Sequence, residues 1–188
     1  MMAHRHNALT YRLEQAVIRL RDLVRPPGRV LVDAGVRTGM TVLDFGCGPG
    51  GFSLAAAKIV GPKGRILAVD VEPIALATVR RRAARLGLGN VDCFRGDQIV
   101  DVPAVSVDMA LLYDILHIGR DSEWRQSVLT SIHRVLKPTG VLSVRDHHLG
   151  ESSLTERVTG DGAFDHLSDM QRSSLFCKRG CRPSCEAS

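Results

Sequence analysis

The chain has 188 residues, a formal net charge of +5, a hydrophobic share of 44% and a charged share of 24%. That length and balance fit one globular domain with a real core. No apolar run approaches the ~18 residues a membrane helix needs. The polar, basic N-terminal segment has no signal-like apolar region, so the expected location is cytoplasmic, without a membrane partner. Five scattered cysteines offer no disulfide framework, which agrees with a reducing compartment.

Leu9, Leu13, Val17, Leu20 and Val24 recur every three or four residues between Arg12, Glu14, Arg19 and Arg21. This periodicity predicts an amphipathic helix, ended by Pro26-Pro27-Gly28. A second short helix is expected at about residues 30–34, stopping at Gly35. Residues 1–38 are the expected substrate lid, 39–178 the core and 179–188 a tail, within a single domain spanning 1–188. Strands are predicted at 41–45, 65–69, 91–94, 107–112 and 141–144, and helices over 52–60, 73–86 and 121–136. Such alternation gives an α/β fold, a mostly parallel sheet covered by helices on both faces. Arg80, Arg81, Arg82 and Arg85 crowd one helix. They read as a solvated face; the alternative, a nucleic-acid patch, lacks the aromatic residues that stack on bases. The segment from Glu151 onward is less regular.

The most informative stretch is Val42-Leu43-Asp44-Phe45-Gly46-Cys47-Gly48-Pro49-Gly50-Gly51-Phe52-Ser53. It reads as a strand, a glycine turn and a helix start. Gly46, Gly48 and Gly50 let a ligand approach bare backbone, and the helix start offers unpaired N–H groups. The spacing Gly46-x-Gly48-x-x-Gly51 also satisfies the dinucleotide fingerprint, with Asp70 about 20 residues on. Asp44 separates the two readings. A carboxylate at the strand end repels a pyrophosphate, whereas S-adenosylmethionine carries an ammonium and a sulfonium, both of which gain from it.

Asp44-Phe45-Gly46-Cys47-Gly48-Pro49-Gly50 resembles motif I of the class I S-adenosylmethionine-dependent methyltransferases. Val69-Asp70 resembles the end of that family's second strand, Arg95-Gly96-Asp97 the loop after the third, and the segment from Val107 to Asp114 the fourth strand. The segment from Arg134 to Leu142 resembles the Leu-Lys-Pro-Gly-Gly turn into the fifth, with Thr139 replacing one glycine. The likeness covers roughly residues 30–178 and is nearest the small-molecule branch with ubiquinone/menaquinone-type motifs. It implies a Rossmann-like sheet of seven strands in the order 3-2-1-4-5-7-6, closed by an antiparallel pair at 163–167 and 173–177. It implies S-adenosylmethionine as cofactor, bound by Asp44, Phe45, Gly46, Cys47, Gly48 and Gly50. Asp70 would hold the ribose hydroxyls with Val71 beside it. Asp97 would take the adenine amino group with Gln98 alongside, and Tyr113 would lie near the cofactor.

Methyl transfer from a sulfonium is an in-line displacement in which placement does much of the work. The candidate groups sit where strands four and five end. Tyr113 and His117 are the catalytic candidates. His117 is the better base because imidazole titrates near working pH; the alternative is a cap or a backbone hydrogen bond. Asp114 binds either a loop N–H or substrate. Arg145-Asp146-His147-His148 invites a metal reading, but strand neighbours point to opposite faces, so one histidine facing the acceptor is preferred and no metal is expected. Cys177, Cys181 and Cys185 read as a disordered tail rather than as a zinc or soft-metalloid site. No Asn/Asp-Pro-Pro-Tyr/Phe follows strand four, which disfavours amino-methylation of nucleic-acid bases. The Lys-Asp-Lys-Glu set of ribosomal RNA 2′-O-methyltransferases is not recognisable either. The expected activity is methyl transfer to a small-molecule acceptor. Its alternatives are an RNA methyltransferase, an NAD(P)-dependent oxidoreductase and a non-catalytic cofactor-binding protein. The N-terminal helices either close the site or build a homodimer.

Overall fold

A computed structural model describes residues 26–117, 121–170 and 173–181. The amphipathic helix expected from Leu9 to Val24 and the third tail cysteine, Cys185, lie outside these residues.

Seven strands form one sheet: β1 (Thr41–Phe45), β2 (Arg65–Asp70), β3 (Val91–Arg95), β4 (Val107–Tyr113), β5 (Leu136–Arg145), β6 (Phe164–Met170) and β7 (Ser173–Lys178). Their order is β3-β2-β1-β4-β5-β7-β6. The first five run parallel, and β7 runs antiparallel to both β5 and β6. This is the doubly wound, mostly parallel arrangement expected from the alternation. The strand order reverses between β1 and β4, so a crevice opens beyond their carboxyl ends.

The sheet is covered on both faces, which explains its nearly continuous apolar strands. Along β4, Met109, Leu111 and Tyr113 pack with residues of α1 (Pro27–Asp33) and α2 (Gly51–Val60). The alternate residues Ala110 and Leu112 pack on the other face with Val128, Leu129, Ile132 and Val135 of α4 (Ser122–Val135). α3 (Pro73–Arg85) rests Leu76 and Val79 against Ala68 of β2. Among the described residues, no helix is long and apolar enough to cross a membrane.

Three elements differ from the sequence expectation. The second helix starts at Pro27, earlier than expected, because proline at the first helical position gives up an N–H that has no intrahelical partner anyway. β5 starts at Leu136, directly after α4, because Lys137 Nζ pairs with Asp108 Oδ1 at 2.6 Å and holds the Pro138-Thr139-Gly140 stretch against β4. The segment expected to be irregular contains α5 (Glu151–Thr159), which buries Leu154 and Val158 one turn apart. Its remaining residues are polar enough to hide that spacing. A two-turn 3₁₀ segment (Gly96–Asp101) follows β3, and Arg134 of α4 clamps it by donating to the carbonyls of Ile99 and Val102 at 2.7 and 2.9 Å.

Candidate functional site

The turn after β1 is held by its own backbone. The N–H groups of Gly46 and Cys47 both donate to the Val69 carbonyl, at 2.8 and 2.9 Å. Gly46, Gly48 and Gly50 all have positive φ, at 80°, 49° and 80°, a region costly for residues with a Cβ. Their surroundings differ. A Cβ on Gly46 would come within 1.7 Å of Ile115 Cδ1, and one on Gly50 within 2.8 Å of Val79 Cγ2. A Cβ on Gly48 would meet nothing within 4 Å. Gly48 therefore faces open space, while Gly46 receives the β4 loop and Gly50 receives α3.

Two carboxylates flank this turn. Asp70 accepts the Gly48 N–H at 2.8 Å and the Glu72 N–H at 2.9 Å, which ties the end of β2 to the glycine turn. Asp44 is 3% exposed and accepts the Ser53 hydroxyl at 2.5 Å. Burial pushes its carboxyl up to about 6; the Ser53 bond opposes that rise, and the charge of Asp70 adds to it. Asp44 therefore lies beneath the turn, shielded from solvent and held by Ser53. Burial, followed by the charges of Asp44 and Asp70, pushes the Cys47 thiol far up, so Cys47 is a neutral wall residue and not a nucleophile. Phe45 is half-buried against the core on the α4 side of the sheet.

The neighbouring loops complete the crevice. Val71 is 73% exposed, and a Cβ on Gly96 would meet its Cγ1 at 2.8 Å, so the turns after β2 and β3 touch. The Asp97 side chain is 68% exposed and pairs with Arg95 Nη2 at 3.3 Å. Gln98 Oε1 accepts the Arg95 N–H at 2.9 Å and so closes the 3₁₀ turn. Three of the arginines read as a solvated face have specific partners. Arg82 donates to the Pro49 carbonyl at 2.5 Å and Arg80 to the Cys93 carbonyl at 3.2 Å, while Arg81 reaches Thr78 Oγ1 at 3.5 Å. Arg82 is thus a brace for the glycine turn.

Across the crevice, the ends of β4 and β5 exchange two Asp–His pairs. Asp114 has a φ of 55°, and its Oδ1 accepts from His147 Nδ1 at 2.6 Å and from the His147 N–H at 3.2 Å. Arg145 bonds to His147 Nε2. A guanidinium only donates, so Nε2 is the acceptor and the imidazole proton sits on Nδ1. Burial works to raise the Asp114 carboxyl, but the His147 hydrogen bonds and the charges of His147 and Arg145 bring it below the usual range. The second pair is His117 with Asp146. His117 Nδ1 lies 3.0 and 3.1 Å from the two Asp146 oxygens, and Asp146 also accepts the backbone N–H of His117 and of His148, each at 3.0 Å. The Asp146 side chain is 0% exposed and that of His117 28%. The His117 and His148 rings pack with centroids 4.2 Å apart.

Tyr113 is 5% exposed, with Phe52 edge-on at 4.7 Å and its hydroxyl 2.8 Å from Ser143 Oγ. Burial pushes its phenol up to about 12. Sequence placed Tyr113 beside the reacting groups because it ends β4, but its side chain points to the α2 face, into the core. The pairing of Asp146 with His117 and the brace from Arg82 were not legible, because each partner is about 30 residues away. Among the described residues, no group of three or more His, Cys, Asp or Glu is arranged to hold a metal ion.

A cavity of about 480 Å³ opens at the ends of β5, β6 and β7, under the start of α5. Arg145, Asp146, His147, Leu149, Leu154 and Met170 form much of its wall. Asp146 thus belongs to both the cavity and the His117 pair.

Residues 37–175 match a family model described as a methyltransferase domain. An arsenite methyltransferase of Halobacterium salinarum is 30% identical over 149 residues, covering 73% of this chain and 37% of that protein. A ribosomal RNA large subunit methyltransferase E of Acidithiobacillus ferrooxidans is 33% identical over 124 residues, covering 58% of this chain and 52% of that protein. The chain therefore spans about a third to a half of the length of these curated relatives. The crystal structure of an S-adenosylmethionine-dependent methyltransferase from Aquifex aeolicus matches with a TM-score of 0.67 at 23% identity, covering 81% of this chain and 87% of that one. At that identity the likeness is one of fold.

Proposed function

Because this chain belongs to the class I S-adenosylmethionine-dependent methyltransferases, we propose that it transfers a methyl group from S-adenosylmethionine to a small-molecule acceptor. The observation that carries the acceptor assignment is the cavity of about 480 Å³ beside the crevice, a size suited to a drug-sized molecule. The hydrogen bonds of Arg80 and Arg82 to the Cys93 and Pro49 carbonyls support it as well, since they tie two of that helix's guanidinium groups to the protein's own backbone.

The residues fit the cofactor. Gly48 leaves open backbone, and Asp44 and Asp70 set a negative field that suits an ammonium and a sulfonium and opposes a pyrophosphate. Asp70 has lone pairs left for the ribose hydroxyls after its two backbone bonds. The exposed Val71, with Asp97 and Gln98, frames the adenine end. Bound there, S-adenosylmethionine supplies a methyl group on a positively charged sulfur. The chain's part is to orient that group, with Ile115 locking the β4 loop onto Gly46, and to hold the acceptor in line.

Methyl-labelled cofactor, offered with a small-molecule library and separately with ribosomal RNA, tests the assignment. Label in small molecules is the expected result. Label in RNA alone, as the name of the second relative would have it, overturns the small-molecule assignment.

A further inference from the structure

His117 and His147 lie on the same rim, yet only one of them is built as a base. Both nitrogens of His147 are committed, Nδ1 to Asp114 and Nε2 to Arg145. Among the described residues, His117 is fastened through Nδ1 alone. Asp146 takes that N–H, so the neutral ring presents its lone pair on Nε2. The carboxylate is buried, receives two further backbone N–H bonds and cannot swing away. His148 packs on the ring. Two residues before His117, Ile115 is pressed onto Gly46 of the cofactor turn. Asp146 also forms part of the cavity wall. The structure thus puts a fixed, partly exposed imidazole on the loop that meets the cofactor turn through Ile115, hydrogen-bonded to the cavity-wall residue Asp146.

From this juxtaposition we propose that the acceptor is a hydroxyl compound and that His117 removes the hydroxyl proton as the methyl is transferred. The proposal rests on the methyl-transfer reading above and narrows it. A base discriminates among acceptor atoms. A thiol is readily ionised near neutral pH and needs no help. A neutral amine attacks with its free lone pair and sheds its proton afterwards. A hydroxyl oxygen is a poor nucleophile until its proton leaves, so it is the acceptor for which a held imidazole matters. The step balances. The new O–CH₃ bond forms as the S–CH₃ bond breaks, and that electron pair stays on sulfur as a neutral thioether. The hydroxyl proton goes to Nε2 of His117, and the positive charge once on sulfur ends on an imidazolium beside Asp146. The mixed wall of Leu149, Leu154 and Met170 with Arg145 and His147 suits a compact apolar body bearing such a hydroxyl. In this scheme His117 is the catalytic residue and Asp146 a positioning residue.

The test pairs matched phenol and thiophenol probes with methyl-labelled cofactor, using the wild type, His117→Ala and Asp146→Asn. The variants are first checked for folding and for retained S-adenosylhomocysteine binding. Transfer to the phenol is expected, with a loss of about 10²–10⁴-fold in kcat for His117→Ala and a much smaller loss on the thiophenol. The ratio of phenol to thiophenol turnover should fall in both variants, and further in His117→Ala than in Asp146→Asn. Equal losses on both probes, or labelling of the thiophenol alone, overturn the hydroxyl assignment while leaving methyl transfer intact; failure to bind S-adenosylhomocysteine would instead count against the cofactor site. Long-range ¹H–¹⁵N spectra decide the geometry without any acceptor. They should show His117 protonated on Nδ1 in the wild type, and a ring protonated on Nε2 sinks the proposal.

Discussion

Gly48 donates its backbone N–H to Asp70 across 2.8 Å, so the turn that opens toward the cofactor is tied to the carboxylate expected to hold its ribose. The side chain that shapes the turn is thus the one proposed to hold the ligand. In the same loop, Gly48 faces open space while its neighbours Gly46 and Gly50 are packed against side chains.

Asp70→Ala removes a charged acceptor from both the turn and the ribose. The expected loss is roughly 1.5–3 kcal/mol, or about ten- to a hundredfold in S-adenosylhomocysteine affinity. Asp70→Asn keeps an acceptor oxygen for Gly48 and should lose less. Titration calorimetry on both variants checks the order, and an unchanged affinity in Asp70→Ala would remove the residue from the site.

Gly48→Ala and Gly50→Ala separate binding from folding. At Gly48 the new methyl has room, so stability falls only by the cost of a positive φ, about 1–2 kcal/mol. At Gly50 the same backbone cost is joined by a clash with Val79 at 2.8 Å. Thermal melts should therefore rank Gly50→Ala as the less stable variant. Cofactor affinity should suffer in Gly48→Ala beyond anything its melt explains.

Asp44 makes stability depend on pH with a definite sign. Its carboxyl is raised from 3.8 to about 6, chiefly by burial. The folded state therefore binds the proton more tightly than the unfolded state does. The stability from that proton is complete below about pH 4 and is lost as pH rises through about 6. Asp44→Asn keeps an acceptor for Ser53 and carries no charge. It should melt close to the wild type at pH 4 and above it at pH 8, by on the order of 3 kcal/mol. Its affinity for S-adenosylmethionine should be lower at pH 8, because the attracting charge is gone. Chemical denaturation at the two pH values is the check, and an Asn variant less stable at pH 8 contradicts the burial argument.

Tyr113→Phe tests the buried placement of the tyrosine. The hydroxyl bonds to Ser143, so its loss should cost on the order of 1 kcal/mol in stability and leave the pH–rate profile as it was. A drop in kcat of a hundredfold or more would instead put Tyr113 at the reacting atoms.

Much of this protein was legible in its residues. The alternation of apolar runs and helical stretches dictated a parallel sheet covered on both faces, because such strands bury both sides. Glycines at 46, 48 and 50 between an apolar run and a helix start dictated a tight turn, because the backbone there takes positive φ, but only Gly48 faces open space. The acidic residues at 44 and 70 were placed at strand ends by the same pattern. The helix at 151–159 was missed because two buried residues among polar ones carry too little periodic signal.

Tertiary structure alone decided what faces what. β4 and β5 become neighbours with Tyr113 opposite Arg145, and that register brings Asp114 to His147 and His117 to Asp146 across sequence gaps of 33 and 29 residues. Strand periodicity assigns side chains to faces but says nothing about which loop meets which beyond a strand's end. It could not show that Tyr113 turns into the core, that Gly46 is filled by Ile115, or that of two histidines on one rim, one has both ring nitrogens hydrogen-bonded and the other, among the described residues, only Nδ1. Those facts depend on packing between elements distant in the chain, and they set the chemistry the site can perform.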